Sequence, residues 1–144
     1  MKIYIGSDHA GYNLKQAVKD HLEKRDVTVT DLGSFEGEDS VDYPIIAREV
    51  CEKVLEYPHS KGIMVCGTGQ GSAMACNRHK GIRAALCPTV ELAEMSRRHN
   101  HANVLCLGER IIDEKTALTI VDTFLDTEPD SAKRHKKRVE MLDK

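Results

Sequence analysis

The segment Cys66-Gly67-Thr68-Gly69-Gln70-Gly71-Ser72 joins a thiol to a glycine-rich turn. The apolar run Gly62-Ile63-Met64-Val65 leads into it, so the thiol ends a buried strand and the glycines open the next helix. Unhindered backbone N–H groups at Gly67, Gly69, Gly71 and Ser72 suit an anion, and the same groups suit a thiolate. Cys66 is therefore a candidate base or nucleophile. Ser72 stands where a phosphatase-like cysteine loop requires arginine, so proton acceptance is the better reading. No Gly-Lys-Ser/Thr follows, which excludes a Walker loop, and the Gly-x-Gly-x-Gly spacing after a third strand is a poor dinucleotide fingerprint.

Other polar residues have chemistry to offer. Asp8-His9 is a turn with a helix cap, or a proton-handling and anion-binding pair. His99-Asn100-His101 is a polar helix end; as a metal site it lacks the usual spacing and a carboxylate companion, so no metal is expected. In the basic tail Lys133-Arg134-His135-Lys136-Lys137-Arg138, a helix would put Arg134 and Arg138 on one face, where two guanidinium groups suit a phosphate dianion.

Strand-like and helix-like segments alternate along the chain and must position these groups. Strands are expected at 2–6, 27–32, 62–66, 83–87 and 104–107. The stripes Leu14/Ala17/Val18/His21/Leu22 and Ile46/Val50/Val54 predict amphipathic helices. Pro88-Thr89 starts another helix, whose inner face is expected to carry Leu92, Met95 and His99. Asp113 caps a helix through Val121, Phe124 and Leu125. The acidic stretch 33–42 reads as a loop. Five β–α units give an α/β fold: a five-stranded parallel sheet covered on both faces, a three-layer sandwich. Ligands of such sheets bind beyond the carboxyl ends of the strands, and there the sequence places Ser7-Asp8-His9, Cys66-Gly67-Thr68 and Gly108-Glu109-Arg110.

The 144 residues read as one domain, 1–144, ending in a helical tail at about 131–144. A net charge of −2, no tryptophan and only six Phe and Tyr residues argue against nucleic-acid binding. No apolar run approaches a membrane span or a signal peptide. Five scattered cysteines without a Cys-x-x-Cys pair suit a reducing cytoplasm.

Gly6-Ser7-Asp8-His9-Ala10-Gly11, Val41-Asp42-Tyr43-Pro44, Cys66 to Gly71, Gly81 to Leu86, His99-Asn100, Asn103-Val104-Leu105 and Arg134-His135 with Arg138-Val139 occur in one order nearly end to end. Together they resemble the type B ribose-5-phosphate isomerase family, which also includes galactose-6-phosphate isomerase subunits. The resemblance implies a Rossmann-like sheet and an aldose–ketose isomerase needing no metal or other cofactor. It implies a homodimer, or a dimer of dimers, with active sites shared across the interface. Cys66 would move a proton between carbons 1 and 2 of ribose 5-phosphate through an enediolate. The Gly67–Ser72 amides would stabilise that anion, and Thr68 would assist proton movement between oxygens. His99, with Asp8 nearby, would open the furanose ring, and Tyr43 and Asn100 would contact the sugar. His9, Arg134 and Arg138 would hold the phosphate, with Arg110 arriving from the partner subunit. The chain departs from the family pattern at Ser72-Ala73, where Met-Ser is frequent, at His101, where aspartate is common, and at Ala132-Lys133, where Gly-Gly is usual. A six-carbon aldose phosphate is the alternative substrate, and a non-catalytic sugar-phosphate-binding module the alternative of a different class.

Overall fold

A computed structural model describes residues 1–144. The elements alternate as β1 (Lys2–Ser7), α1 (Tyr12–Glu23), β2 (Thr28–Asp31), α2 (Tyr43–Glu56), β3 (Lys61–Cys66), α3 (Gln70–Cys76), β4 (Ala84–Leu86), α4 (Val90–Asn100), β5 (Val104–Gly108), α5 (Glu114–Asp126) and α6 (Lys133–Met141). A 3₁₀ turn, His9–Gly11, leads into α1. The five strands pair in parallel in the order β2-β1-β3-β5-β4.

Alternation along the strands builds two cores. Ile3, Ile5, Ile63, Val65, Leu105 and Leu107 point to one face, where they meet Leu14, Val18 and Leu22 of α1 and Ala117, Ile120, Val121 and Phe124 of α5. Tyr4, Met64, Val104 and Cys106 point to the other, against Ile46, Val50 and Val54 of α2 and Cys76 of α3. Burying a residue such as Leu22 or Phe124 contributes about 1.5–3 kcal/mol. Both faces are covered, which makes the three layers.

The helix starts follow local chemistry. Asp113 Oδ1 accepts from Thr116 N at 2.7 Å, and Thr89 Oγ1 accepts from Leu92 N at 3.2 Å. The face of α4 differs from the expected one. Ala93, Ser96 and Arg97 are its buried residues, whereas Leu92 is 48% exposed. Small Ala93 and Ser96 let α4 pack closely on its neighbours, and the larger Leu92/Met95/His99 stripe lies one residue round the helix. No helix is long and apolar enough to cross a membrane.

Strand order decides where a ligand can sit. From β1 the chain moves outward to β2 and then returns to the far side of β1 as β3. The crossover helices α1 and α2 therefore cover opposite faces and diverge at the carboxyl ends of β1 and β3, opening the crevice used by doubly wound folds.

Candidate active site

Cys66 closes β3 at this crevice and is 5% exposed. Its Sγ accepts a hydrogen bond from Gly69 N at 3.2 Å. Gly69 makes this bond from the left-handed region, φ 83°, and caps α3. A Cβ there would stand 2.5 Å from Leu86 Cδ1, so both backbone angle and space call for glycine. At Gly71 a Cβ would fall 2.6 Å from Tyr43 Cζ, so the bare backbone lets the tyrosine ring lie over the loop. The end of β5 pins the loop: Glu109 N donates to Cys66 O and Arg110 N to Gly67 O, both at 2.9 Å. Thr68 is exposed at the mouth, and its Oγ1 accepts from Gln70 N at 3.4 Å. Ser72 is fully buried and its Oγ has no hydrogen-bond partner.

β1 supplies the opposite wall. Asp8 is 7% exposed, and its Oδ1 accepts from Ala10 N at 3.0 Å and Gly11 N at 3.1 Å. The carboxylate is thus fixed by the turn it caps, with Oδ2 left over. Asp8 N donates to Val65 O, which ties it to the strand that ends in Cys66. His9 is exposed, and its Nδ1 accepts from Val41 N at 3.1 Å. That bond leaves Nε2 as the protonated, donating nitrogen of a neutral ring. Val41 acts through its backbone, which no side-chain pattern announces.

Arg110 belongs to this same cluster. A Cβ on Gly67 would lie 3.0 Å from Arg110 Nη1, so the guanidinium covers the loop of its own chain. This corrects the expectation that Arg110 comes from a partner.

The remaining expected residues gather elsewhere. Helix α4 runs back along the sheet, and His99 and Asn100 end it just before β5 begins at Val104. Asn103 O, in the connecting turn, accepts from Gly62 N near the start of β3. From Gly62↔Val104 to Cys66↔Gly108 the paired strands advance four steps, about 13 Å. Within one chain His99 is therefore at the amino end of the sheet, away from Asp8. The signal was present in the sequence: a residue between a crossover helix and the next strand lies at the end opposite the ligand crevice.

At that amino end, α6 packs on α4. His99 and His135 stack with centroids 4.3 Å apart and planes 12° from parallel. With Asn100 and Arg138 they line a pocket of about 260 Å³. Arg134 and Arg138 are exposed one turn apart on α6. Burial pushes the His135 imidazole below its ordinary value, and the neighbouring His99 and Arg134 push the same way. His135 Nε2 is buried without a partner. Sequence reasoning assigned this histidine no role, although it is the one buried residue of α6.

The carboxylate companion that the sequence did not reveal is Asp130: His99, Asp130 and His135 bring three donor atoms within 4.8 Å of one another. The set fits a metal poorly. Stacked, nearly parallel rings direct their nitrogen lone pairs side by side and not toward one point, and Asp130 Oδ1 already accepts from Ala132 N at 2.7 Å. That bond holds the Asp130 carboxyl below its usual range.

A doubly wound sheet with a thiol and a glycine-rich turn at its switch point is the arrangement of a small-molecule enzyme. A sequence profile described as Ribose/Galactose Isomerase matches residues 3–142, and the chain belongs to that family. Its relatives include a probable ribose-5-phosphate isomerase B of Mycoplasma pneumoniae, 44% identical over 95% of this chain and 90% of that protein. The solved ribose-5-phosphate isomerase B of Clostridium thermocellum superposes with a TM-score of 0.94 at 48% identity, covering 99% of this chain and 95% of the other. The ribose-5-phosphate isomerase B of Mycoplasma genitalium, solved with bound ribulose 5-phosphate, superposes with a TM-score of 0.93 at 38% identity over 98% and 93% of the two chains.

Proposed function

We propose that this protein interconverts ribose 5-phosphate and ribulose 5-phosphate. The observation that carries the reading is Cys66 Sγ held by Gly69 N–H at the β1/β3 switch point, in a chain whose relatives bear that activity. Cys66, as the thiolate, takes the proton from carbon 2 of the open-chain aldose, which leaves an enediolate with its negative charge on oxygen 1. While Gly69 N–H holds the thiol, the amides of Gly67, Gly71 and Ser72 stabilise the developing negative charge, each such donor contributing about 3 kcal/mol in comparable sites. Thr68, at the loop mouth, passes the proton between oxygens 1 and 2. Cys66 then returns its proton to carbon 1, which leaves the ketose.

The separation of these residues within one chain supports dividing the other roles between two copies. Asp8, His9, Tyr43, Cys66, Thr68 and Arg110 share the carboxyl end, whereas His99, Asn100, Arg134 and Arg138 occupy the amino end. A substrate about the length of a pentose phosphate cannot span the sheet and also enter both clusters. A symmetric dimer that lays the α4–α6 end of one copy on the β1/β3 crevice of the other completes two equivalent sites. In it, His99 protonates the ring oxygen across from Asp8, Asn100 and Tyr43 contact the sugar, and His9, Arg110, Arg134 and Arg138 hold the phosphate. We assign this work to the whole chain as one domain, in the cytoplasm, where five buried free thiols suit a reducing milieu.

The test is isomerisation, with solvent deuterium uptake at carbons 1 and 2, of ribose 5-phosphate and of a six-carbon aldose phosphate. Turnover of the five-carbon substrate with exchange is expected. Preference for the six-carbon substrate, or absence of both activities, would overturn the assignment.

A further inference from the structure

A second pocket, about 280 Å³ and lined mainly by polar and charged residues, opens at the amino ends of β3 and β4. Lys61, Arg83 and Arg97 line it together with His59 and His101, against one carboxylate, Glu128. None of the three cations takes part in the salt bridges of this chain. Arg97 is only 7% exposed. Charges withdrawn from water are ordinarily paired, so three convergent unpaired cations are a feature to explain.

The arginines are held in place by the backbone. Arg83 Nε donates to His101 O at 2.9 Å and its Nη1 to Gly81 O at 3.4 Å. Arg97 Nε donates to Thr127 O at 3.2 Å, and its Nη1 donates to Ala102 O. These bonds use one N–H of Nε and one of Nη1 on each guanidinium, leaving the second Nη1 hydrogen and both Nη2 hydrogens as donors. His101 adopts φ 50°, in the left-handed region that a non-glycine residue seldom enters, and its Nε2 is buried without a partner. Burial pushes the Lys61 ammonium below its ordinary value and nearby Arg97 adds to this, with Glu128 opposing. Arg97 is lowered by burial and by Arg83, again against Glu128. Each cation raises the cost of its neighbours, and a bound anion would relieve all three.

We infer that this pocket is a binding site for a phosphate-class anion, with Lys61, Arg83, Arg97 and His101 as its donors. The assignment does not depend on the isomerase reading, because it is tested by binding. Inorganic pyrophosphate is titrated calorimetrically into Arg138→Ala protein, whose proposed substrate clamp is weakened. One site per chain is expected, weakened at least tenfold by adding Lys61→Gln. Lys61→Gln alone should leave the KM for ribose 5-phosphate unchanged. His101→Asn, which suits the left-handed backbone angle, serves as a second variant and should weaken pyrophosphate binding with unaltered thermal unfolding of the free protein. No binding at millimolar pyrophosphate, binding indifferent to both substitutions, or a KM raised by Lys61→Gln as by Arg138→Ala would each overturn the proposal.

Discussion

Cys66 and His99 stand at opposite ends of the same sheet, the first closing β3 and the second preceding β5. The two residues proposed for proton transfer and ring opening therefore cannot serve one substrate within one chain. Everything proposed for the reaction follows from combining the carboxyl end of one copy with the amino end of another.

Removing the base should stop the chemistry and leave binding largely intact. Cys66→Ala is expected to lower kcat by about 10²- to 10⁴-fold, the usual contribution of a positioned base, with little change in KM. Steady-state kinetics on ribose 5-phosphate check this. Full turnover by the variant would remove Cys66 from the mechanism.

The glycine at the left-handed turn is tied to the thiol by its amide. Gly69→Ala forces φ 83° on a side chain and drives its Cβ toward Leu86 Cδ1. A cost of about 1–3 kcal/mol is expected, seen as a lower thermal midpoint, and kcat should fall as Gly69 N moves from Cys66 Sγ. An unchanged midpoint with unchanged kcat would show that the loop tolerates a Cβ there.

The arginine pair on α6 should act on binding. Losing one charge-assisted contact to a phosphate costs about 1.5–3 kcal/mol, so Arg134→Ala and Arg138→Ala are each expected to raise KM by about 10- to 100-fold. Because both side chains are exposed, thermal stability should stay within ordinary surface-mutation limits. Unchanged Michaelis constants would free both residues from the clamp.

His135 gives a stability dependence with a definite sign. Its imidazole is lowered in the folded chain, so the unfolded chain binds the proton more readily. Stability from this group is complete above the unfolded value, about 6.5, and is lost as pH falls from there toward the lower folded value. Thermal midpoints measured from pH 7.5 to 5 should decline more steeply for the wild type than for His135→Phe, which keeps an aromatic ring against His99 without a titrating nitrogen. Parallel slopes would contradict this.

Much of this was legible in the residues. The strand–helix alternation, the Thr89 and Asp113 caps and the Cys66 loop are local features, and each lies where its own chemistry requires. Strand order is not local. The sequence does not state that β3 returns beside β1 or that β5 inserts between β3 and β4, and the grouping of Arg110 with Cys66 depends on that order. The α4 face was misread because the larger Leu92 and Met95 outweighed small Ala93 and Ser96 in the pattern, whereas close helix packing favours the small residues. Asp130 and His135 meet His99 only through the return of α6 onto α4, a contact with no periodic signature.

The shared site is tested most directly by mixing two inactive variants. Cys66→Ala and His99→Asn protein are each expected to be nearly inactive. When they are unfolded, mixed in equal amounts and refolded, half of the dimers are hybrids, and each hybrid holds one site with an intact Cys66 and an intact partner-derived His99. Recovery of about one quarter of wild-type turnover is expected for a two-fold dimer. A mixture no more active than the two variants apart, with hybrid formation verified by mass spectrometry, would contradict the account.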